Sequence, residues 1–188
     1  GLFAGWQETM VWSCLQGVMG RVYGDAGEDS ASAVALLGDF CFFAGKPNRE
    51  LVLEAPVLAG REFLIMTPRD QGWAELIEDC HGTGVRRSVR YAIKKEPEVF
   101  DRGKLRAAVE SLPEEYELRA MDQGLFLGCL EIPWCRDWVA LYRDYAHYRE
   151  HGLGAVILKD GQPVSGASSY SGYLGGIEIE IDTRADYR

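Results

Sequence analysis

The chain has 188 residues, 47% of them apolar and 26% charged, which is the ordinary mixture of a globular protein. The net charge of -9 argues against binding to the phosphate backbone of nucleic acid, because such binding uses a basic surface. The longest apolar run, residues 33–44, is interrupted by Gly38 and Asp39 and falls short of a membrane-spanning helix. We therefore expect neither nucleic acid nor a membrane as a partner.

The cysteines predict a reducing compartment. Their number is odd and no tight spacing repeats; they are Cys14, Cys41, Cys80, Cys129 and Cys135. A disulfide framework is not expected, and we predict a cytoplasmic location. The spacing of cysteines and histidines fits no standard zinc pattern, so no metal is predicted. A catalytic Cys/His pair remains an alternative, because the two residues of such a pair are neighbours in the fold and not in the sequence.

The first half of the chain alternates predicted helices and strands. Apolar residues at helical spacing predict a helix over 6–22. Two near-continuous apolar runs predict strands at 33–37 and 40–45, buried on both faces and joined by a tight turn or bulge. The further predicted elements are helical turns at 49–53, a strand at 62–66, a helix from Pro68 to Gly82, a strand at 85–95 with a basic solvated face, and a helix at 104–111 capped by Asp101.

The second half is predicted to begin at residues 111–115, where Leu112-Pro113 breaks the preceding helix. Asp160-Gly161 between two apolar runs predicts a hairpin with a type I′ turn. The predicted elements are a strand at 116–121, a short helix at 122–127, a helix at 135–150, and strands at 153–159, 163–170 and 175–182 with a turn at Ser171-Gly172.

The last strand has two contrasting faces. Its isoleucines alternate with acidic residues in the order Ile177, Glu178, Ile179, Glu180, Ile181, Asp182. A period of two predicts that the isoleucines face the core and the acids share the other face. The acidic face is either a solvated face of a half-covered sheet or a site in which crowded carboxylates raise one pKa.

Several stretches of the chain carry a family resemblance. They read CLQGVMG (14–20), GDFCFFAGKPN (38–48), RYAIKKE (90–96), SLPEEYEL (111–118) and SGASSYSGYLGGIEIEIDTRADYR (165–188). They resemble the GCN5-related N-acetyltransferase (GNAT) superfamily, and more narrowly the bacterial GNAT-type family that includes zwittermicin A resistance proteins. The resemblance implies an α+β (mixed α/β) fold, with an N-terminal α/β domain over 1–112 and a partial GNAT domain with a central, mostly antiparallel sheet over 113–188.

The resemblance also implies an activity. We expect an acetyl-CoA-dependent N-acetyltransferase that transfers the acetyl group to a primary amine of a small molecule. Glu178 and Glu180 would be the catalytic residues, and at least one of them would be the general base near the amine; the resemblance does not separate their roles. The backbone at Ile181, Asp182 and Thr183 would bind the pantetheine arm of acetyl-CoA.

Arg188 falls where the resemblance implies the first residue of the pyrophosphate-binding loop, Arg/Gln-x-x-Gly-x-Gly/Ala. We therefore expect the chain to stop before that loop. Ser168 and Tyr170 are candidate substrate-binding residues on the neighbouring strand, although they are equally compatible with turn and edge positions. A homodimer is left open, and the alternative function is a non-catalytic acyl-CoA-binding or regulatory module on the same fold.

Overall fold

The structure is a computed structural model, which describes residues 1–25, 30–91 and 96–188. These residues form six α-helices and two four-stranded sheets, which confirms the predicted α+β (mixed α/β) fold. The helices are α1 (Thr9–Gln16), α2 (Arg49–Ala59), α3 (Gln71–His81), α4 (Arg102–Glu110), α5 (Gln123–Glu131) and α6 (Tyr145–His151). The strands are β1 (Arg21–Gly24), β2 (Ser32–Leu37), β3 (Phe40–Gly45), β4 (Ile65–Pro68), β5 (Tyr116–Ala120), β6 (Gly154–Lys159), β7 (Gln162–Tyr173) and β8 (Gly176–Thr183).

The chain divides into two compact units, each assembled from three stretches. Unit 1 comprises Gly1–Arg86, Leu141–Gly152 and Tyr170–Glu178, and unit 2 comprises Arg87–Ala140, Leu153–Ser169 and Ile179–Arg188. The division into domains 1–112 and 113–188 stays a prediction. In the part of the chain that the structure describes, no helix is both long and apolar enough to cross a lipid bilayer.

Unit 1 contains the first sheet, in the order β1-β2-β3-β4. Strands β2 and β3 form the predicted antiparallel hairpin, with Leu37 opposite Phe40, and β4 runs parallel to β3. All six residues of β2 are buried, as its uninterrupted hydrophobicity predicted. Helices α2 and α3 pack on this sheet in one apolar cluster, whose members are Val34, Leu36, Cys41, Phe43, Leu51, Val52, Ala55, Trp73 and Ile77.

Trp73 anchors α3 in that cluster. Its ring centroid lies 5.0 Å from that of Phe43, and both side chains are fully buried. Its indole Nε1 donates to the carbonyl of Gly45 at 3.0 Å, so the polar atom of the ring is satisfied. Helix α3 begins after Asp70, whose Oδ1 accepts from the backbone N–H of Trp73. The predicted start at Pro68 is wrong, because Pro68 belongs to β4 and lies opposite Phe43.

Two predicted helices are shorter in the structure. Helix α1 ends at Gln16, because Gly17 adopts a left-handed φ of 70° and its N–H donates a hydrogen bond to the carbonyl of Cys14. The single helix predicted over 135–150 is instead a 3-10 helix, Arg136–Trp138, followed by α6. Asp144 caps α6 by accepting from the N–H of His147 at 2.8 Å.

Two other predictions change in extent. Helix α2 continues to Ala59, well past the predicted 49–53, and accommodates Pro56 in its interior. The strand predicted over 85–95 is wrong for residues 85–91, which form no strand, and its residues 92–95 lie outside the described residues.

The second sheet has the order β5-β6-β7-β8. Strand β6 pairs antiparallel with both β5 and β7. Asp160 and Gly161 have φ angles of 50° and 75°, so the predicted type I′ turn is confirmed. Strand β7 continues to Tyr173, so the turn predicted at Ser171-Gly172 is wrong.

Gly38→Ala is expected to destabilise the protein more than Gly17→Ala. Both glycines have left-handed φ angles, 57° and 70°, at which alanine costs about 1–2 kcal/mol. A Cβ at Gly38 would also collide with the Tyr170 hydroxyl, whereas one at Gly17 meets no described atom within 4 Å. Urea unfolding should therefore show an additional loss of about 1 kcal/mol or more for Gly38→Ala. Equal losses would show that the β2–β3 turn is not crowded.

Candidate functional site

The faces of β8 are not those that its alternation predicted. Ile179 and Ile181 are 56% and 68% exposed, so the prediction that they lie in the core is wrong. Glu178, Glu180 and Asp182 are half-buried on the alternate positions of the strand. Burial is therefore greater on the acidic face. This matters chemically, because burial changes the proton affinity of a carboxylate.

Glu178, which belongs to unit 1, has a structural partner there. The hydroxyl of Thr9, at the first residue of α1, donates a hydrogen bond to Glu178 Oε2. Thr9 itself is buried. This bond between residues 169 positions apart joins the start of α1 to β8, so Glu178 contributes to the packing of unit 1.

Glu180, which belongs to unit 2, has a perturbed proton affinity. Burial raises the pKa of the Glu180 carboxyl, and the negative charges of Asp137 and Asp182 raise it further. Each effect disfavours the ionised form, the first because solvation is lost and the second because like charges repel. A raised pKa makes the Glu180 carboxylate a better proton acceptor than an ordinary glutamate.

Asp182, Thr183 and Arg188 lie together at the end of β8. Arg188 Nη2 lies 2.6 Å from Asp182 Oδ1, and Arg188 Nε donates to the carbonyl of Thr183 at 2.8 Å. The Arg188 guanidinium holds the pKa of Asp182 below its usual range, helped by the backbone N–H of Thr183. The structure thus brings together three of the four predicted cofactor-binding residues in one hydrogen-bonded group.

The fourth of these residues, Ile181, lies on the same strand. Strand β8 is at the end of the sheet order, so one of its edges has no strand partner among the described residues. An unpaired strand edge offers backbone N–H and C=O groups to an extended ligand. Ser165 of β7 supports the other side, with its Oγ 2.7 Å from Thr183 Oγ1. The expected binding of a pantetheine arm at Ile181, Asp182 and Thr183 stays a prediction.

Ser168 and Tyr170 have their hydroxyl groups engaged within the protein. Ser168, of unit 2, is 2% exposed and its Oγ donates to the carbonyl of Trp138 at 2.8 Å. The Tyr170 hydroxyl, in unit 1, accepts from the backbone N–H of Asp39 at 3.3 Å. Their substrate-binding role stays a prediction, and the contacts that the structure gives them are internal ones.

The cysteines are free and mostly buried. Burial raises the pKa of Cys14 to about 11 and that of Cys41 to about 12, which disfavours a nucleophilic thiolate. The Cys135 thiol donates to the carbonyl of Ile132 at 3.7 Å, and the neighbouring Cys129 together with burial raises the pKa of Cys135. Among the described residues, no group of three or more His, Cys, Asp and Glu side chains is arranged to hold a metal ion.

Sequence reasoning missed two residues that shape this site. Asp137 contributes to the raised pKa of Glu180 although it lies 43 positions earlier in the chain. Thr9 holds Glu178 from the opposite end of the sequence. Neither residue belongs to a motif, and only the fold places them beside β8.

Comparison with known families decides the class of protein. The family described as GNAT acetyltransferase matches residues 1–188. The chain belongs to this family. It is 46% identical to a GCN5-related N-acetyltransferase-like protein from Streptococcus suis 89/1591, whose crystal structure it matches with a TM-score of 0.90 over 100% of this chain and 74% of that chain.

A second solved structure shares less with the chain. It is a GCN5-related N-acetyltransferase from Kribbella flavida, 15% identical, with a TM-score of 0.47 over 98% of this chain and 76% of that chain. No curated protein matches the chain. The family assignment confirms the predicted GNAT superfamily, while the narrower likeness to zwittermicin A resistance proteins stays a prediction.

Ile179→Ala is expected to lower the free energy of unfolding by less than about 1 kcal/mol, because most of the side chain is already in water. Val156→Ala is the matched comparison on β6, where the side chain is fully buried. Its loss should be about 2 kcal/mol, from lost transfer energy and a residual cavity. Urea unfolding of both variants checks the difference, and a greater loss for Ile179→Ala would contradict the exposed position.

Arg188→Gln is expected to raise the pKa of Asp182 toward that of an ordinary aspartate, because the guanidinium that stabilises the carboxylate is removed. Carboxyl-carbon NMR titration measures this directly. Arg143→Gln is the control, since Arg143 pairs with Asp144 at 3.3 Å instead. An Asp182 titration that is the same in Arg188→Gln and in the unmodified protein would mean that the Arg188–Asp182 pair does not form in solution.

Proposed function

We propose that the protein is an acetyl-CoA-dependent N-acetyltransferase that acetylates a primary amine of a small molecule, with Glu180 as the general base. The observation that carries the proposal is the half-buried Glu180 carboxylate on β8 of a GNAT-family chain, with its pKa raised by burial and by two neighbouring acids. A base with a raised pKa accepts a proton more readily at neutral pH.

The reaction requires an uncharged amine. At neutral pH a primary amine carries a proton, so its nitrogen has no free electron pair for attack. Acetyl-CoA supplies the acetyl group as a thioester. In the proposed mechanism Glu180 accepts the ammonium proton, and the neutral amine nitrogen forms a bond to the acetyl carbon. The carbon–sulfur bond then breaks, its electron pair leaves with the sulfur, and the second proton lost by the nitrogen ends on that sulfur, so that the products are the amide and the free thiol.

Glu180 is preferred to Glu178 for a physical reason. Glu178 Oε2 already accepts a hydrogen bond from the buried Thr9 hydroxyl, so this carboxylate is engaged within unit 1. Glu180 instead faces the like charges of Asp137 and Asp182. We therefore assign Glu178 to holding β8 and Glu180 to proton transfer.

The end of β8 is the proposed place of the cosubstrate. The edge of β8 has no strand partner among the described residues, and at Ile181, Asp182 and Thr183 it would bond the pantetheine amides. Arg188 is 63% exposed, so its guanidinium is accessible to a phosphate oxygen. Ser168 and Tyr170 remain candidate substrate-binding residues, and a homodimer remains one option for the oligomeric state. We also propose a cytoplasmic location, which the five free cysteines support.

Thiol release tests the activity. The protein is incubated with acetyl-CoA and a panel of primary amines, and free thiol is followed with a chromogenic disulfide reagent. Amine-dependent thiol release supports an enzyme. If acetyl-CoA raises the melting temperature but no amine yields thiol, the protein is a non-catalytic acyl-CoA-binding module and the proposed function is wrong.

Glu180→Gln is expected to lower kcat by about 10²–10⁴-fold, the usual contribution of a general base. Activity of the unmodified protein should rise with pH as Glu180 loses its proton, above the range of an ordinary glutamate, and the variant should lack this rise. Glu178→Gln should retain that pH profile. Equal turnover of Glu180→Gln and the unmodified protein would remove Glu180 from the mechanism.

The same substitution has an expected effect on stability. Because the folded pKa of Glu180 is raised, the folded state binds more protons than the unfolded state between the two pKa values, and stability falls as pH rises through that interval. Glu180→Gln removes this unfavourable charge. Thermal unfolding at pH 7 should therefore show a melting temperature equal to or above that of the unmodified protein, so lost activity would not reflect lost folding.

A further inference from the structure

A second feature of unit 1 is a pocket of about 410 Å³ between the C-terminal end of α6 and the β7–β8 turn. Its volume lies within the range of small-molecule sites. Residues Glu150, His151 and Gly152 line it from α6, and Tyr173, Leu174 and Ile177 line it from the two strands. None of these positions was singled out as a site by the sequence.

The wall of this pocket is fixed by the backbone. A Cβ at Gly172 would collide with the carbonyl of His151, so only glycine allows β7 to approach the end of α6 this closely. Ser13 Oγ donates to the carbonyl of Gly172 at 2.6 Å, and Leu174 N–H donates to Gln16 Oε1 at 2.8 Å. The turn is therefore held in place before any ligand binds, which lowers the cost of binding.

Three properties of the lining favour a cation. The last carbonyl groups of a helix carry partial negative charge, and here they belong to α6. Glu150 adds a full negative charge, with Oε1 3.7 Å from His151 Nε2. Tyr173 adds an aromatic ring, whose face attracts ammonium groups. The pocket lining contains no lysine or arginine in the part of the chain that the structure describes.

The Tyr173 ring is itself held in position. A Cβ at Gly175 would lie 2.7 Å from Tyr173 Cε2, and one at Gly176 would lie 3.2 Å from Cε1. The ring therefore lies across the two glycines of the turn. Leu174 and Ile177 add apolar surface beside it. A rigid aromatic ring beside aliphatic side chains suits the hydrocarbon or aromatic body of a ligand.

We propose that this pocket binds a primary ammonium compound with an apolar or aromatic body. Glu150, Tyr173 and the end of α6 bind the ammonium group, and Leu174 and Ile177 contact the body. The site goes beyond the proposed acetyl transfer, because its lining includes none of the residues assigned to that reaction.

Binding of a matched pair of compounds tests the pocket without acetyl-CoA. The pair is 2-phenylethylamine and 2-phenylethanol, which share the ring and chain and differ in the ammonium group. The amine should bind about tenfold more tightly. In NMR titrations the backbone amides of Gly152 and Gly176 should shift with the amine. Equal affinity for the two compounds, or shifts confined to other residues, would overturn the proposal.

Variants with matched controls locate the binding. Glu150→Gln and Tyr173→Leu should each weaken binding of the amine by about threefold to fivefold and leave binding of the alcohol nearly unchanged. The controls are Glu131→Gln, also an exposed acid in the last turn of a helix, and Tyr91→Leu, at a tyrosine that is 90% exposed. They should not change the affinity. Loss of affinity in the controls to the same degree would overturn the assignment.

Thiol release and binding test the two proposals separately. If amines yield thiol but 2-phenylethylamine and 2-phenylethanol bind with equal affinity, the pocket assignment is wrong and the acetyltransferase function stands. If 2-phenylethylamine binds in the pocket and no amine yields thiol, the pocket assignment stands and the acetyl-transfer proposal is wrong.

Discussion

The crowding of negative charge around Glu180 is the interaction on which the proposed acetyl transfer depends. A carboxylate in water is a weak base at neutral pH. Partial burial on β8 removes part of its solvation, and Asp137 and Asp182 oppose its charge. Ionised Glu180 is therefore destabilised in the folded protein, and the same destabilisation makes its carboxylate a better proton acceptor. Such local destabilisation is typical of catalytic positions.

The three acidic residues of β8, Glu178, Glu180 and Asp182, have different partners. Glu178 accepts a hydrogen bond from Thr9. Asp182 is paired with Arg188, which favours the ionised form of Asp182. Glu180 lies between them in the sequence, and its charge is opposed by burial and by the negative charges of Asp137 and Asp182. Three acidic residues at alternate positions thus have three electrostatic environments, and the sequence pattern alone could not distinguish them.

Local sequence patterns predicted most elements of the fold, because turns and helix caps depend on residues that are adjacent in the sequence. The Asp160-Gly161 turn, the Asp101 cap of α4 and the strands β2 and β3 all follow from adjacent residues. The faces of β8 were predicted wrongly, because which face of a strand is covered depends on distant residues. The pocket beside Tyr173 was missed for the same reason, since Gly172 and His151 meet only in the folded chain.

The exposed isoleucines of β8 have a consequence for solubility. Ile179 and Ile181 lie on a strand with an edge unpaired among the described residues, and such an edge can pair with that of another copy. Charges of one sign, here Glu180 and Asp182 interleaved with the isoleucines, oppose that pairing. Because the pKa of Glu180 is raised and that of Asp182 is lowered, acidification neutralises Glu180 first. Glu180, the proposed proton acceptor, therefore loses its charge before Asp182 does. Its loss of charge weakens the repulsion that keeps the β8 edges of two copies apart.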